Sequence, residues 1–133
     1  MDYIDIDKFL NQTEEVQKTF KDWWNPQRGD LFFIDNYKEY NPNHSIIETN
    51  SDNTIGYCDY VEGSLEISYV KIKDIEPLFT EGQLRKFIED KTNSPVIPYY
   101  YLDEGYIINN IKTGNTDLLQ AYWKIACKIA ANE

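Results

Sequence analysis

"IEPLFTEGQLRKFIEDK", residues 75–91, contains a helix start on which the reading of the whole chain turns. Thr80 stands as the N-cap, followed by Glu81, Gly82 and Gln83 as the first three helical positions. The Thr80 hydroxyl can accept from the Gln83 amide while the Gln83 side chain returns to the Thr80 backbone N–H, which is a capping box. Phe79 and Leu84 fall where a hydrophobic staple needs its two apolar side chains. Leu84, Phe87 and Ile88 repeat at i, i+3 and i+4, so one face of this helix is buried and Arg85, Lys86, Glu89 and Asp90 look outward. A glycine at a helix mouth also fits an anion cradle, which needs free amides and positive potential. Here the cap uses the donors and Glu81 adds negative charge to the first turn, so the stretch reads as a helix start.

The rest of the chain supplies partners for that helix. Its 133 residues predict a single α+β domain over 1–133 with a core of its own. Hydrophobic residues make up 41% and aromatics 15%, a globular rather than a disordered composition. Asp5 or Asp7 opens a first helix carrying Phe9, Leu10, Val16, Phe20, Trp23 and Trp24. Its periodicity fails around Asn11–Thr13, where Asn11 with Glu14 would cap a second segment. "NPQRGD" (25–30) is turn chemistry and "LFFID" (31–35) a buried strand. Residues 36–54 form the longest loop-like stretch, with Ile46 and Ile47 offering a short strand.

"IGYCDYV" (55–61) and "SLEISYVKI" (64–72) flank Glu62-Gly63 and predict a β-hairpin. The apolar alternation of Leu65, Ile67 and Tyr69 changes parity at Val70 and Ile72, so a bulge is expected near Tyr69. "VIPYYYL" and "YIINNI", joined by Asp103-Glu104-Gly105, predict a second hairpin, and Pro98 places its first strand at an edge or a bulge. "NTDLLQAYWKIACKIA" (115–130) is an amphipathic helix capped by Asn115 or Thr116, with Asp117 in its first turn. Leu118, Leu119, Tyr122, Trp123, Ile125, Ala126, Ile129 and Ala130 form its apolar face. This order predicts an α+β fold in which an antiparallel sheet of five to six strands carries three packing helices: N-terminal, middle and C-terminal.

Charge and residue inventory exclude several functions. The net charge is −10, and residues 1–66 carry 14 acidic against 5 basic side chains, whereas residues 67–133 carry 9 against 8. Such a surface repels phosphate backbones and anionic membranes, so direct nucleic-acid binding and membrane association are not expected. "MDYIDID" has neither the basic nor the apolar region of a secretory signal, and a cytoplasmic location is the expectation. Cys58 and Cys127 show no metal or redox spacing and read as small buried apolar side chains. Neither "DYIDID" nor "NSDNT" has the ligand pattern of a calcium loop, and phosphate-cradling motifs are absent, so no metal or cofactor is expected.

His44 is the only histidine. A nucleophilic centre would have to use it, with Cys58 as the conceivable partner, but "NPNHS" is a polar loop and no catalytic residues are assigned. The aromatics are more informative. Trp23, Trp24, Phe32, Phe33 and Trp123 fall on apolar faces and read as core. Tyr99, Tyr100 and Tyr101 follow one another in a strand, so they point to both faces and some look away from the core. With Tyr37 and Tyr40 of the acidic loop they form the candidate partner-binding surface. The competing reading is that exposed tyrosines simply support strand formation.

"WWNPQRGDLF", "IEPLFTEGQLRKFIEDK" and "DLLQAYWKIACKIA" together resemble small phage and prophage proteins of unknown function from Gram-positive bacteria. The resemblance rests on Trp24, Pro26, Gly29 and Asp30, then on Pro77, Leu78, Thr80, Glu81, Gly82, Gln83 and Leu84. The "NPNHSIIETNSDNT" stretch has no counterpart in that group. The resemblance implies a phage-derived, cytoplasmic, noncatalytic accessory protein of α+β fold, and it carries over no catalytic residue.

The leading expectation is therefore a phage-associated, non-enzymatic module that binds an unidentified protein partner. One alternative is an acidic mimic of nucleic acid that inhibits a host DNA-binding protein, and another is a small hydrolase using His44. The oligomeric state stays open between monomer and homodimer, with an edge strand near Pro98 as one route to a symmetric dimer.

Overall fold

The fold, taken from a computed structural model, is described for residues 2–34 and 44–132. In chain order its elements are α1 (Ile6–Leu10), α2 (Glu14–Trp23), β1 (Leu31–Phe33), β2 (Ser45–Ile46), β3 (Thr49–Asn50), β4 (Thr54–Val61), β5 (Ser64–Lys71), β6 (Glu76–Pro77), α3 (Glu81–Thr92), β7 (Pro98–Tyr101), β8 (Gly105–Ile108), β9 (Ile111–Lys112) and α4 (Leu118–Ala131). They fall into two compact units, one spanning Trp24–Leu78 and the other combining Met1–Trp23 with Phe79–Glu133.

The Trp24–Leu78 unit is built from two antiparallel sheets, ordered β2-β1-β6 and β3-β4-β5. β1 sits between its neighbours, with Leu31 opposite Ile46 and Phe33 opposite Glu76. β4 and β5 pair without interruption from Thr54↔Lys71 to Val61↔Ser64. Glu62 and Gly63 close that hairpin with φ of 52° and 85°, so both turn residues are left-handed, as in a type I′ turn. The bulge expected near Tyr69 is absent. The parity change instead reflects the two faces of a straight strand: Val70 lies opposite the buried Ile55, while Tyr69 lies opposite Gly56 on the other face. Trp24, Phe32, Ile47, Ile55, Tyr57, Ile75 and Leu78 are buried within this unit.

The second unit packs its helices around aromatic rings. Phe20 of α2 lies 4.6 Å from Phe87 of α3, 5.4 Å from Phe79 and 5.2 Å from Trp123 of α4, ring centre to ring centre. Its sheet is β7-β8-β9, again antiparallel. The middle helix starts as the sequence predicts. The Thr80 side chain accepts from the Gln83 amide, the Gln83 Oε1 accepts from the Thr80 N–H at 2.9 Å, and Phe79 and Leu84 are both buried.

The α+β class is as expected, but the single five-to-six-stranded sheet is not. Among the described residues, three three-stranded antiparallel sheets take its place. β8 is shorter than expected because Asn109 and Asn110, at φ 51° and 64°, turn "YIINNI" back on itself into β9. Asparagine tolerates the left-handed region, so two in succession close a hairpin that an apolar reading takes for one strand.

Two caps also move. The N-terminal helix breaks where expected, but Thr13 rather than Asn11 caps α2, its Oγ1 accepting from the Val16 amide at 3.2 Å. Asp117, not Asn115 or Thr116, caps α4, its carboxylate accepting from the Gln120 amide at 2.9 Å. Of the expected core aromatics, Trp23 is only half-buried: its indole N–H donates to Asp90 at 2.9 Å. That bond, with Lys86 next to it, holds the Asp90 carboxyl below the usual range.

Candidate functional site

The tyrosine strand is positioned by α3. Arg85 donates to the Val96 carbonyl at 3.2 Å and the Glu89 carboxylate accepts from the Val96 amide at 3.3 Å, which fixes the segment entering β7. Val96 is fully buried, whereas Ile97 and everything from Tyr99 to Leu102 is exposed. Tyr99, Tyr100 and Tyr101 keep 58%, 49% and 53% of their surface in solvent, and Leu102 keeps 89%. Sequence reasoning requires only one face of this run to look outward; in the structure both faces do.

Among the described residues β7 is the outer strand of its sheet, as Pro98 implies. The turn back to β8 is closed by the Glu104 amide donating to the Tyr101 carbonyl at 3.1 Å. Gly105 then takes φ 74°, and a Cβ there would meet the Asn115 carbonyl oxygen at 2.3 Å. Only glycine fits both demands.

Tyr106 lies opposite Tyr100, but its own backbone groups are used on the far side: its N–H donates to Asn115 at 2.8 Å and its C=O accepts from Thr113 at 3.1 Å. Tyr100 and Tyr106 are thus a non-hydrogen-bonded pair, and the backbone N–H and C=O of Tyr100 point off the open edge. The closeness of such pairs lets the two rings meet edge to face, 5.0 Å apart at 62°. The result is an amphipathic aromatic strip with open backbone hydrogen-bonding groups at its middle. Tyr37 and Tyr40, the other members of the expected surface, lie outside the described residues.

His44 directly precedes β2. It lines a shallow groove of about 200 Å³ with Ser45, Ile46, Glu48 and Cys58, and a smaller recess with Phe32, Phe33, Ile34, Tyr57 and Asp59. The pairing of His44 with Cys58 considered from sequence is therefore brought into one neighbourhood. Cys58 is exposed, not buried as expected. It projects from the face of β4 opposite that of Tyr57, and its cross-strand partner is the half-exposed Ile67. Cys127 is partly buried, and burial pushes its thiol up to about 12. Among the described residues no group of three or more His, Cys, Asp or Glu side chains is arranged to hold a metal ion. No helix among them is long and apolar enough to cross a membrane.

The turn motif before β1 has a structural use. Asp30 Oδ2 accepts from the Trp24 indole at 3.1 Å and from the Gln27 amide at 3.0 Å, while the Gly29 amide, at φ 94°, donates to Ile47 at 2.8 Å. What sequence reasoning misses is the second apolar surface, Leu65, Ile67 and Tyr69 on β5. The signal available was the opposing strand, where Gly56 and Cys58 supply little bulk opposite Tyr69 and Ile67. Comparison with protein-family models, with curated proteins and with solved structures returns no match to this chain.

Proposed function

We propose that the chain is a phage-associated, non-enzymatic interaction module that binds a protein partner in the cytoplasm of the host cell, with the tyrosines of β7 as its principal contact. The observation that supports this reading is the contiguous exposure of Ile97, Tyr99, Tyr100, Tyr101 and Leu102 on an edge strand, while the phenylalanines of the same unit are buried. Tyrosine offers large contact area with few rotatable bonds and a hydroxyl for the wet rim, and it is enriched where binding energy concentrates. The phage association rests on the resemblance carried by Trp24–Asp30 and Pro77–Leu84.

The test is affinity capture from phage-infected or lysogenic cells with the full chain and with a Tyr99→Ser, Tyr100→Ser, Tyr101→Ser variant. Because these side chains are about half exposed, the variant is expected to remain folded in urea unfolding, losing about 1–3 kcal/mol that includes the Tyr100–Tyr106 ring contact. Loss of the captured partner, at a cost of at least about 2 kcal/mol in binding, supports the reading. Undiminished capture contradicts it.

A further inference from the structure

We infer that the outer edge of β5 is a second docking site, which accepts an extended segment of a partner protein with alternating apolar and basic residues as an added strand. Three observations within the Trp24–Leu78 unit carry this, independently of β7.

The first is an open ladder. Among the described residues β5 is outermost in its sheet, and it pairs with β4 over its whole eight-residue length. Beyond its end, Ile72 donates to Asn53 at 2.9 Å across the hairpin, and the Gly56 carbonyl opposite Tyr69 accepts instead from Glu48 at 2.8 Å. The even-numbered residues thus hydrogen-bond to β4. The N–H and C=O groups of Leu65, Ile67, Tyr69 and Lys71 therefore point off the sheet. No proline or bulge blunts this edge, and natural edges of such length are usually protected.

The second is the face those same residues present. Leu65, Ile67 and Tyr69 are 61%, 44% and 68% exposed and lie on one side of the strand. An added strand would set every second side chain against them, as strand-addition domains do with their peptides.

The third is charge. On the opposite face Glu66 lies directly across from Asp59, and Glu62 sits in the adjoining turn. A strand added beside β5 would place its alternate residues next to Glu66, where a lysine or arginine complements that carboxylate. The same charge disfavours a second copy, which would bring another net −10 against this edge.

The probe is an acetylated and amidated octapeptide alternating valine and lysine, titrated into the isotope-labelled full chain and followed by backbone amide shifts. Saturable shifts centred on Leu65 to Lys71 are expected. Binding should weaken about tenfold when the valine amides of the peptide are N-methylated, since these are the ladder donors, and by a similar factor with the exposed substitution Glu66→Lys. The triple tyrosine variant of β7 should bind the peptide unchanged, which separates this site from the proposed partner surface. The inference is overturned by an absence of shifts in β5, by equal binding of a valine–glutamate peptide, by indifference to N-methylation, or by sedimentation of the free chain as a dimer with its β5 amides protected.

Discussion

Asp30 ties together residues that otherwise look like a loose turn. One carboxylate oxygen receives both the Trp24 indole and the Gln27 amide, and the Asp30 amide in turn donates to the Gln27 carbonyl at 3.0 Å. Because Trp24 is buried, removing the carboxylate leaves its indole N–H without that acceptor. Asp30→Ala is expected to cost about 1–3 kcal/mol in urea unfolding, and Asp30→Asn less. Thr80 is a second local determinant: Thr80→Ala removes the side-chain half of the capping box and should cost about 1 kcal/mol by the same measurement. The cysteines differ in kind. The Cys58 thiol is exposed and is expected to react with a thiol reagent in the native protein, while Cys127 reacts only on unfolding. Since burial raises the Cys127 thiol from about 9 to about 12, its protonated form favours the folded state. Its contribution is fully present below pH 9 and is lost as pH rises toward 12. Cys127→Ala should therefore flatten the alkaline decline in stability, and an unchanged slope would contradict this.

At the level of elements, sequence carried the helices well and the sheets less well. The capping box and the buried triplet of α3 follow from local chemistry and the structure reproduces them, as it does most of the apolar face of α4, where Leu118 and Ile129 are only partly buried and Ala121 joins the buried set. Sheet partition does not follow from local chemistry, because it depends on which strand edges meet. The Asn109–Asn110 turn and the straight register of β5 illustrate this: the first was hidden in an apolar run, and the second was obscured by apolar side chains that face solvent. Within the second hairpin Gly105 is the most constrained position. Gly105→Ala combines a left-handed φ with a collision against Asn115, and it should destabilise by more than the about 1 kcal/mol of an unstrained glycine replacement. A Gly82→Ala control, where added bulk meets nothing within 4 Å, should be tolerated.

Across the whole molecule, each of the two units has its own buried apolar set, and among the described residues the phenylalanines lie in these interiors while Tyr69 and Tyr99–Tyr101 are exposed on outer strands. That division is what the functional reading uses. The exposure of Tyr99–Tyr101 was partly legible, since three successive strand residues must show both faces, but the open backbone at Tyr100 emerged only with the pairing of Tyr106. The nearness of His44 to Cys58 was not legible, because it depends on β2 and β4 lying together in space. The most direct measurement is amide hydrogen exchange on the full chain with and without the partner it captures. The proposed function predicts slowed exchange from Tyr99 to Leu102, with the Tyr100 amide foremost. Protection confined to the His44–Glu48 segment and Cys58, with β7 unchanged, would contradict it.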